Sequence, residues 1–269
     1  MNTVSIVGVG LIGGSFALAL RKAGFDGRII GVSSSATVQA ALERGVIDEA
    51  QPLEKAATVS DLIYLAQPID QIIQTIAAID VHVRPGALIT DAGSTKHAIV
   101  AAAGESIRRG CFVGGHPMAG KESRGVQEAE PDLFRGRPYV LTSHSAELES
   151  WIERIGARLV LLDPEEHDRL VALTSHLPQL ISTALATLIG CEGNAAKVAG
   201  PAAMDLTRLA LSPYDIWRDI FATNAASLDA AIGVFIQKLE ELRSVMRDSA
   251  MEGAFEAAAD AARAMRNNP

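Results

Sequence analysis

Aromatic side chains are scarce in this sequence: seven Phe, three Tyr and two Trp make up 4% of the chain. With 48% of residues hydrophobic, the core must be mainly aliphatic. Cysteine is scarcer still. Cys111 and Cys191 lie far apart, form no CxxC pair, and sit in apolar stretches, so reduced, buried thiols in the cytoplasm are expected. No basic block is present. The 24 basic and 32 acidic residues give a net charge of -8, which excludes a broad nucleic-acid footprint. Long uninterrupted apolar runs are also missing. Val4 to Leu20 imitates a signal peptide, but no positive residue precedes it, glycines interrupt it, and Arg21-Lys22 follow it. Leu177 to Cys191 is short for a membrane span and is broken by Pro178, Gln179 and Ser182. Neither a transmembrane segment nor a targeting motif is expected.

What is present is an alternation of strands and helices. Val4 to Val7 reads as a strand, and Gly8-Val9-Gly10-Leu11-Ile12-Gly13 leads into a helix from Gly14 to Ala23. GxGxxG carries meaning in this strand-loop-helix setting. Gly8 permits the tight turn, Gly10 lets the backbone approach a pyrophosphate, and Gly13 lets helix and strand pack closely. Further strands are expected at Arg28–Val32, Asp61–Ala66, Ala87–Asp91 and Cys111–Val113, with helices between them. Arg137–Thr142 and Arg158–Leu162 read as two more. The pattern predicts a Rossmann-type, mainly parallel sheet covered on both faces. Ligands in such sheets bind outside the carboxyl ends of the strands. The glycine loop, Ala66-Gln67-Pro68, Gly93-Ser94 and His116 all follow strands and should share one edge. After Asp163 no clear strand signal remains. An α/β dinucleotide-binding domain over 1–163 and an all-helical domain over 164–269 are therefore expected.

Two readings stay open for several residues. Gly114-Gly115-His116-Pro117 is either a turn with an incidental histidine or a general base at the rim of a sheet. Ser94 is either a helix N-cap or a hydroxyl at that rim. Where an NAD-binding unit usually places an acid for the ribose, this chain has Ser33, Ser34 and Ser35. These either cap the next helix or tilt the choice from NAD toward NADP, since no carboxylate repels a 2′-phosphate. His176 and Gln179 share a helical face, but glutamine is a poor transition-metal ligand and no Cys/His cluster joins them, so no metal site is expected.

The motifs GVGLIGGS (Gly8 to Ser15), DAGSTK (Asp91 to Lys96), GGHPMAGKE (Gly114 to Glu122), TSHLPQ (Thr174 to Gln179), DLTRLA (Asp205 to Ala210) and WRDI (Trp217 to Ile220) occur in this order. In these the chain resembles the prephenate and arogenate dehydrogenases of tyrosine biosynthesis. The resemblance implies a Rossmann domain followed by a helical domain that forms a homodimer, and NAD- or NADP-dependent oxidative decarboxylation of prephenate. It makes His116 the base and Ser94 its hydrogen-bonding neighbour. It makes Arg208 the clamp on the ring carboxylate, a task suited to a guanidinium fork. Asp205, three residues before Arg208, is within pairing distance on a helix. Glu122, His176 and Gln179 would line the substrate. The cofactor would lie on Gly8, Gly10, Leu11, Ile12 and Gly13, with Ser33, Ser34, Ala66, Pro68 and Gly93 around it. Many prephenate-using relatives carry a second histidine where Gln179 stands, which leaves arogenate as an alternative substrate. β-Hydroxyacid dehydrogenases share the domain plan but rely on a lysine in the helical part. Lys197 and Lys238, the lysines there, sit in no matching motif.

Overall fold

The computed structural model describes residues 1–121 and 123–267. They form two compact units: Met1–Asp168 with Ser212–Thr223, and Arg169–Leu211 with the chain from Asn224 onward.

The first unit opens with β1 (Thr3–Val7), α1 (Leu11–Lys22), β2 (Arg28–Val32), α2 (Ser35–Glu43), β3 (Glu49–Ala50) and α3 (Leu53–Val59). It continues with β4 (Leu62–Leu65), α4 (Ile69–Ile79), β5 (Leu88–Asp91), α5 (His97–Ser106) and β6 (Cys111–Val113). These strands make a parallel six-stranded sheet in the order β3-β2-β1-β4-β5-β6. The order reverses between β1 and β4, where Val7 aligns with Leu65, and Leu65 with Asp91. The loops after β1, β4 and β5 therefore leave the sheet side by side, as expected for a ligand-binding edge.

Strand side chains alternate between faces, so one sheet feeds two cores. Val4, Ile6, Leu62 and Tyr64 join Phe16 and Leu20 on one side. Val7, Ile63, Leu65 and Ile89 join Ile72, Ile76 and Ile99 on the other. On α4, Ile69, Ile72, Ile76 and Ile79 are buried at helical spacing. Full burial of each such side chain contributes about 1.5–3 kcal/mol. The few aromatics are concentrated in the first core, where Phe16 stacks on Tyr64 at 4.0 Å and meets Phe134 edge-on.

One expectation is corrected beyond β6. His116 does not lie in a loop after a strand of the main sheet. It lies on β7 (Gly115–Pro117), opposite Val140 of β8 (Pro138–Leu141) in an antiparallel pair. After α6 (Ala146–Arg154), β9 (Arg158–Leu161) adds to β8 in parallel and completes a separate three-stranded sheet. The two glycines make this possible. Gly114 exchanges hydrogen bonds with Thr142, its N–H donating to Oγ1 at 3.1 Å and its oxygen accepting the Thr142 N–H at 2.9 Å. A Cβ on Gly115 would fall 2.6 Å from the Asp91 carbonyl oxygen, so only glycine lets the chain cross the end of β5 here.

Helix α7 (Pro164–Val171) is followed by a π-helical turn at Ala172–His176, then α8 (Leu177–Cys191), α9 (Pro201–Thr207) and a 3-10 turn at Arg208–Leu211. Next come α10 (Tyr214–Thr223), α11 (Ala225–Ser244) and α12 (Ala250–Asn267). The second half is helical, as the sequence predicts. Helix α10 nevertheless belongs to the sheet unit, with Ile220 buried in the core of Ile69 and Ile72. The cysteines are a second correction. Both are free but exposed, because Cys111 opens an edge strand and Cys191 ends α8. Among the described residues no single helix is long and apolar enough to cross a membrane.

Candidate active site

The glycine loop has the shape of a dinucleotide cradle. Gly8 holds φ at +93°, and a Cβ there would lie 2.5 Å from the Ala66 oxygen. A Cβ on Gly13 would lie 2.2 Å from the Gly8 oxygen and 2.8 Å from Ile6 Cγ2, so helix and strand touch. At Gly10 nothing lies within 4 Å of the same position. No side chain caps α1. Its first N–H groups therefore open onto a cavity of about 440 Å³, lined by Gly10, Leu11, Ile12, Ala66, Pro68, Gly93 and Ser94 among others. Open space above uncapped N–H groups and a positive helix end fit a pyrophosphate. Ser33 is exposed just past β2. Ser34 caps α2, its hydroxyl accepting the Thr37 N–H at 3.4 Å. At the cavity's other wall Arg124 grips Asp215 with two hydrogen bonds of 2.7 and 3.0 Å.

His116 is 9% exposed and heads a chain of polar groups. Its Nδ1 is 2.8 Å from His167 Nε2, and His167 Nδ1 is 2.7 Å from Asp168 Oδ1. The tautomers follow by elimination. An ionised Asp168 only accepts, so His167 Nδ1 carries a proton. A neutral His167 then accepts at Nε2, so His116 donates from Nδ1. A neutral His116 keeps its lone pair on Nε2, the atom a base needs. Burial raises the Asp168 carboxyl, but the hydrogen bond from His167 and the backbone N–H groups of Lys96 and His97 outweigh it, leaving the carboxyl below the usual aspartate range.

Those backbone bonds, 2.7 Å from Lys96 and 3.0 Å from His97, also cap α5. Ser94 does not serve as that cap; it is half-buried and lines the cavity. Asp91 bonds the backbone just before Ser94 and just before His116. It accepts the Gly93 N–H at 2.8 Å and the Gly115 N–H at 3.0 Å, and it pairs with Lys96. Burial pulls Lys96 below the usual lysine range, while the charges of Asp91 and Asp168 pull it back up.

The remaining candidates lie in the second unit. His176 is 1% exposed, with its Nδ1 3.2 Å from Asn224 Nδ2. Gln179 is 5% exposed. Its Nε2 donates to the Leu209 oxygen at 2.9 Å, and its Oε1 is buried with no hydrogen-bond partner. Arg208 is exposed at the start of its 3-10 turn. Glu122 lies outside the described residues. Among the described residues no group of His, Cys, Asp or Glu could hold a metal ion.

Sequence reasoning assigned no role to His167, Asp168, Asp91 or Lys96. The adjacent His167-Asp168 pair was visible, but nothing local says that it faces a strand 51 residues earlier.

Comparison with known proteins agrees with this geometry. The nucleotide-binding domain of prephenate dehydrogenase matches residues 16–162, and the dimerization domain of prephenate dehydrogenase matches residues 163–259. The prephenate dehydrogenase of Lactococcus lactis is 36% identical over 271 residues, covering 95% of this chain and 75% of that protein. The crystal structure of prephenate dehydrogenase from A. aeolicus, in complex with hydroxyphenyl propionate and NAD+, superposes with a TM-score of 0.88 at 30% identity, covering 100% of this chain and 99% of the other. Synechocystis arogenate dehydrogenase gives a TM-score of 0.85 at 30% identity, covering 99% of this chain and 100% of that one. This chain belongs to the prephenate dehydrogenase family of tyrosine biosynthesis.

Proposed function

We propose that the chain oxidises and decarboxylates prephenate to 4-hydroxyphenylpyruvate with a nicotinamide dinucleotide, and that His116 Nε2 is the base. The observation that carries this is the His116–His167–Asp168 chain, which commits Nδ1 as a donor and so puts the lone pair of a neutral His116 on Nε2. The dinucleotide, when bound on the loop from Gly8 to Gly13, supplies the hydride acceptor. His116 takes the proton of the 4-hydroxyl as hydride leaves the same carbon, and Asp168 stabilises the imidazolium through His167. Loss of the ring carboxylate as carbon dioxide makes the ring aromatic, and His116 returns its proton to the phenol oxygen. No net proton is released. Ser94, on the cavity wall, orients the hydroxyl. By resemblance Arg208 binds the ring carboxylate, and Glu122, His176 and Gln179 attend the substrate. Residues 1–163 would hold the cofactor and 164–269 would pair two copies of the chain. The cofactor is NAD or NADP, with a lean to NADP because Ser33 presents no carboxylate. A cytoplasmic setting suits the two exposed free thiols.

A second reading, turnover of arogenate, is favoured by one observation. The Leu209 oxygen can only accept, so it fixes the Gln179 amide with Nε2 toward it. Oε1 is then a buried acceptor in want of a donor. An ammonium supplies one; the keto oxygen of prephenate does not. Steady-state assays of prephenate and arogenate, each with NAD and NADP, test both readings. Absence of turnover in all four combinations would sink them.

A further inference from the structure

Lys96 is a buried charged group that the reaction as written leaves unused. Its side chain and that of Asp91 are both fully buried. Two charges tolerate that only when paired and hydrogen-bonded, and apolar residues would often be at least as stable. The bonds made here are specific. Lys96 Nζ donates to Asp91 Oδ2, which also accepts the Gly93 N–H at 2.8 Å, while Asp91 Oδ1 accepts the Gly115 N–H at 3.0 Å. Gly93 precedes Ser94, and Gly115 precedes His116. The backbone N–H of Lys96 donates to Asp168 Oδ1 at 2.7 Å, at the far end of the imidazole chain. One ion pair thus reaches the loop of the serine, the strand of the histidine and the carboxylate behind it.

We propose that Asp91 and Lys96 are a positioning pair for this reaction, holding Ser94 and His116 in register with each other and with the His167–Asp168 chain. The proposal rests on the reading of His116 as the base. A carboxylate can accept all three donors, and the Lys96 ammonium balances its buried charge. An amide cannot take its place, because its nitrogen has no lone pair for a backbone N–H. Either Gly93 or Gly115 would then lose its partner. Displacement at Gly115 passes directly to His116, and misplacement of a reacting group by about 1 Å costs on the order of 10²-fold in rate.

The test uses Asp91→Asn and the milder Lys96→Gln, which can still donate to Asp91. The readouts are kcat, KM, the dissociation constant for NAD, and histidine ring resonances labelled with nitrogen-15. For Asp91→Asn, kcat should fall roughly 30-fold or more, while KM and NAD affinity hold within about threefold. The His116 Nδ1 proton signal should shift or broaden. Lys96→Gln should show the same pattern with a smaller fall. A folded variant with kcat within about threefold of wild type overturns the proposal. So does a loss of kcat with the His116 signal unchanged, or failure of both variants to fold, which would make the pair purely structural. If Asp91→Asn alone fails to fold, Lys96→Gln decides by the same criteria. His116→Asn separates the two layers: if it keeps near-normal turnover, the base assignment falls first, whatever the pair does.

Discussion

The lone pair of a neutral His116 sits on Nε2 because Nδ1 is committed to His167, and that commitment originates at Asp168. Two predictions belong at this scale. His116→Asn should lower kcat by about 10²–10⁴-fold with little change in KM, checked by steady-state kinetics. Asp168→Asn removes the negative charge that favours the imidazolium. The acid limb of kcat/KM should therefore move to lower pH, and kcat should fall by on the order of tenfold or more. An unmoved limb would disconnect Asp168 from the base. The same carboxyl links folding to pH. Its native value lies below 3.8, so its contribution to stability is complete above about pH 4 and is lost as pH falls through that lower value.

Among the elements, β1, its glycine loop and α1 are held together by distances that leave no room for a methyl group. Gly13→Ala should destabilise the fold by about 1–3 kcal/mol and weaken dinucleotide binding, measured by thermal melting and titration. Ser33→Asp should cut NADP use roughly tenfold or more and spare NAD, because like charges would meet at the 2′-phosphate. This loop was legible in the sequence because its backbone demands are written in residue type. Gly8 needs positive φ, and Gly13 needs contact. The edge formed by Gly10, Pro68 and Ser94 was legible too, since parallel strands send their loops out together. Strand β7 was not. It is three residues long and pairs with residues more than twenty positions later, so no local periodicity marks it. The cysteines were misjudged for a related reason: apolar neighbours do not reveal a sheet edge or a helix end.

For the whole molecule, the second unit displays apolar side chains that a lone chain would leave in water. Leu188, Leu211, Val234 and Phe255 are 67%, 84%, 64% and 67% exposed. Together with the match of residues 163–259 to a dimerization domain, this predicts a homodimer. Light scattering at micromolar concentration should give twice the 28.3 kDa chain mass, and a monomer would contradict it. The path of the chain carries a further consequence. It leaves the sheet unit after Asp168, returns for Ser212–Thr223 and leaves again. A fragment cut at residue 168 would lack α10 and so open the core that Ile220 shares with Ile69 and Ile72. Such a fragment should aggregate. The dinucleotide-binding half is therefore no cassette to be swapped between enzymes by a single crossover, since part of it is encoded beyond the first stretch of its neighbour.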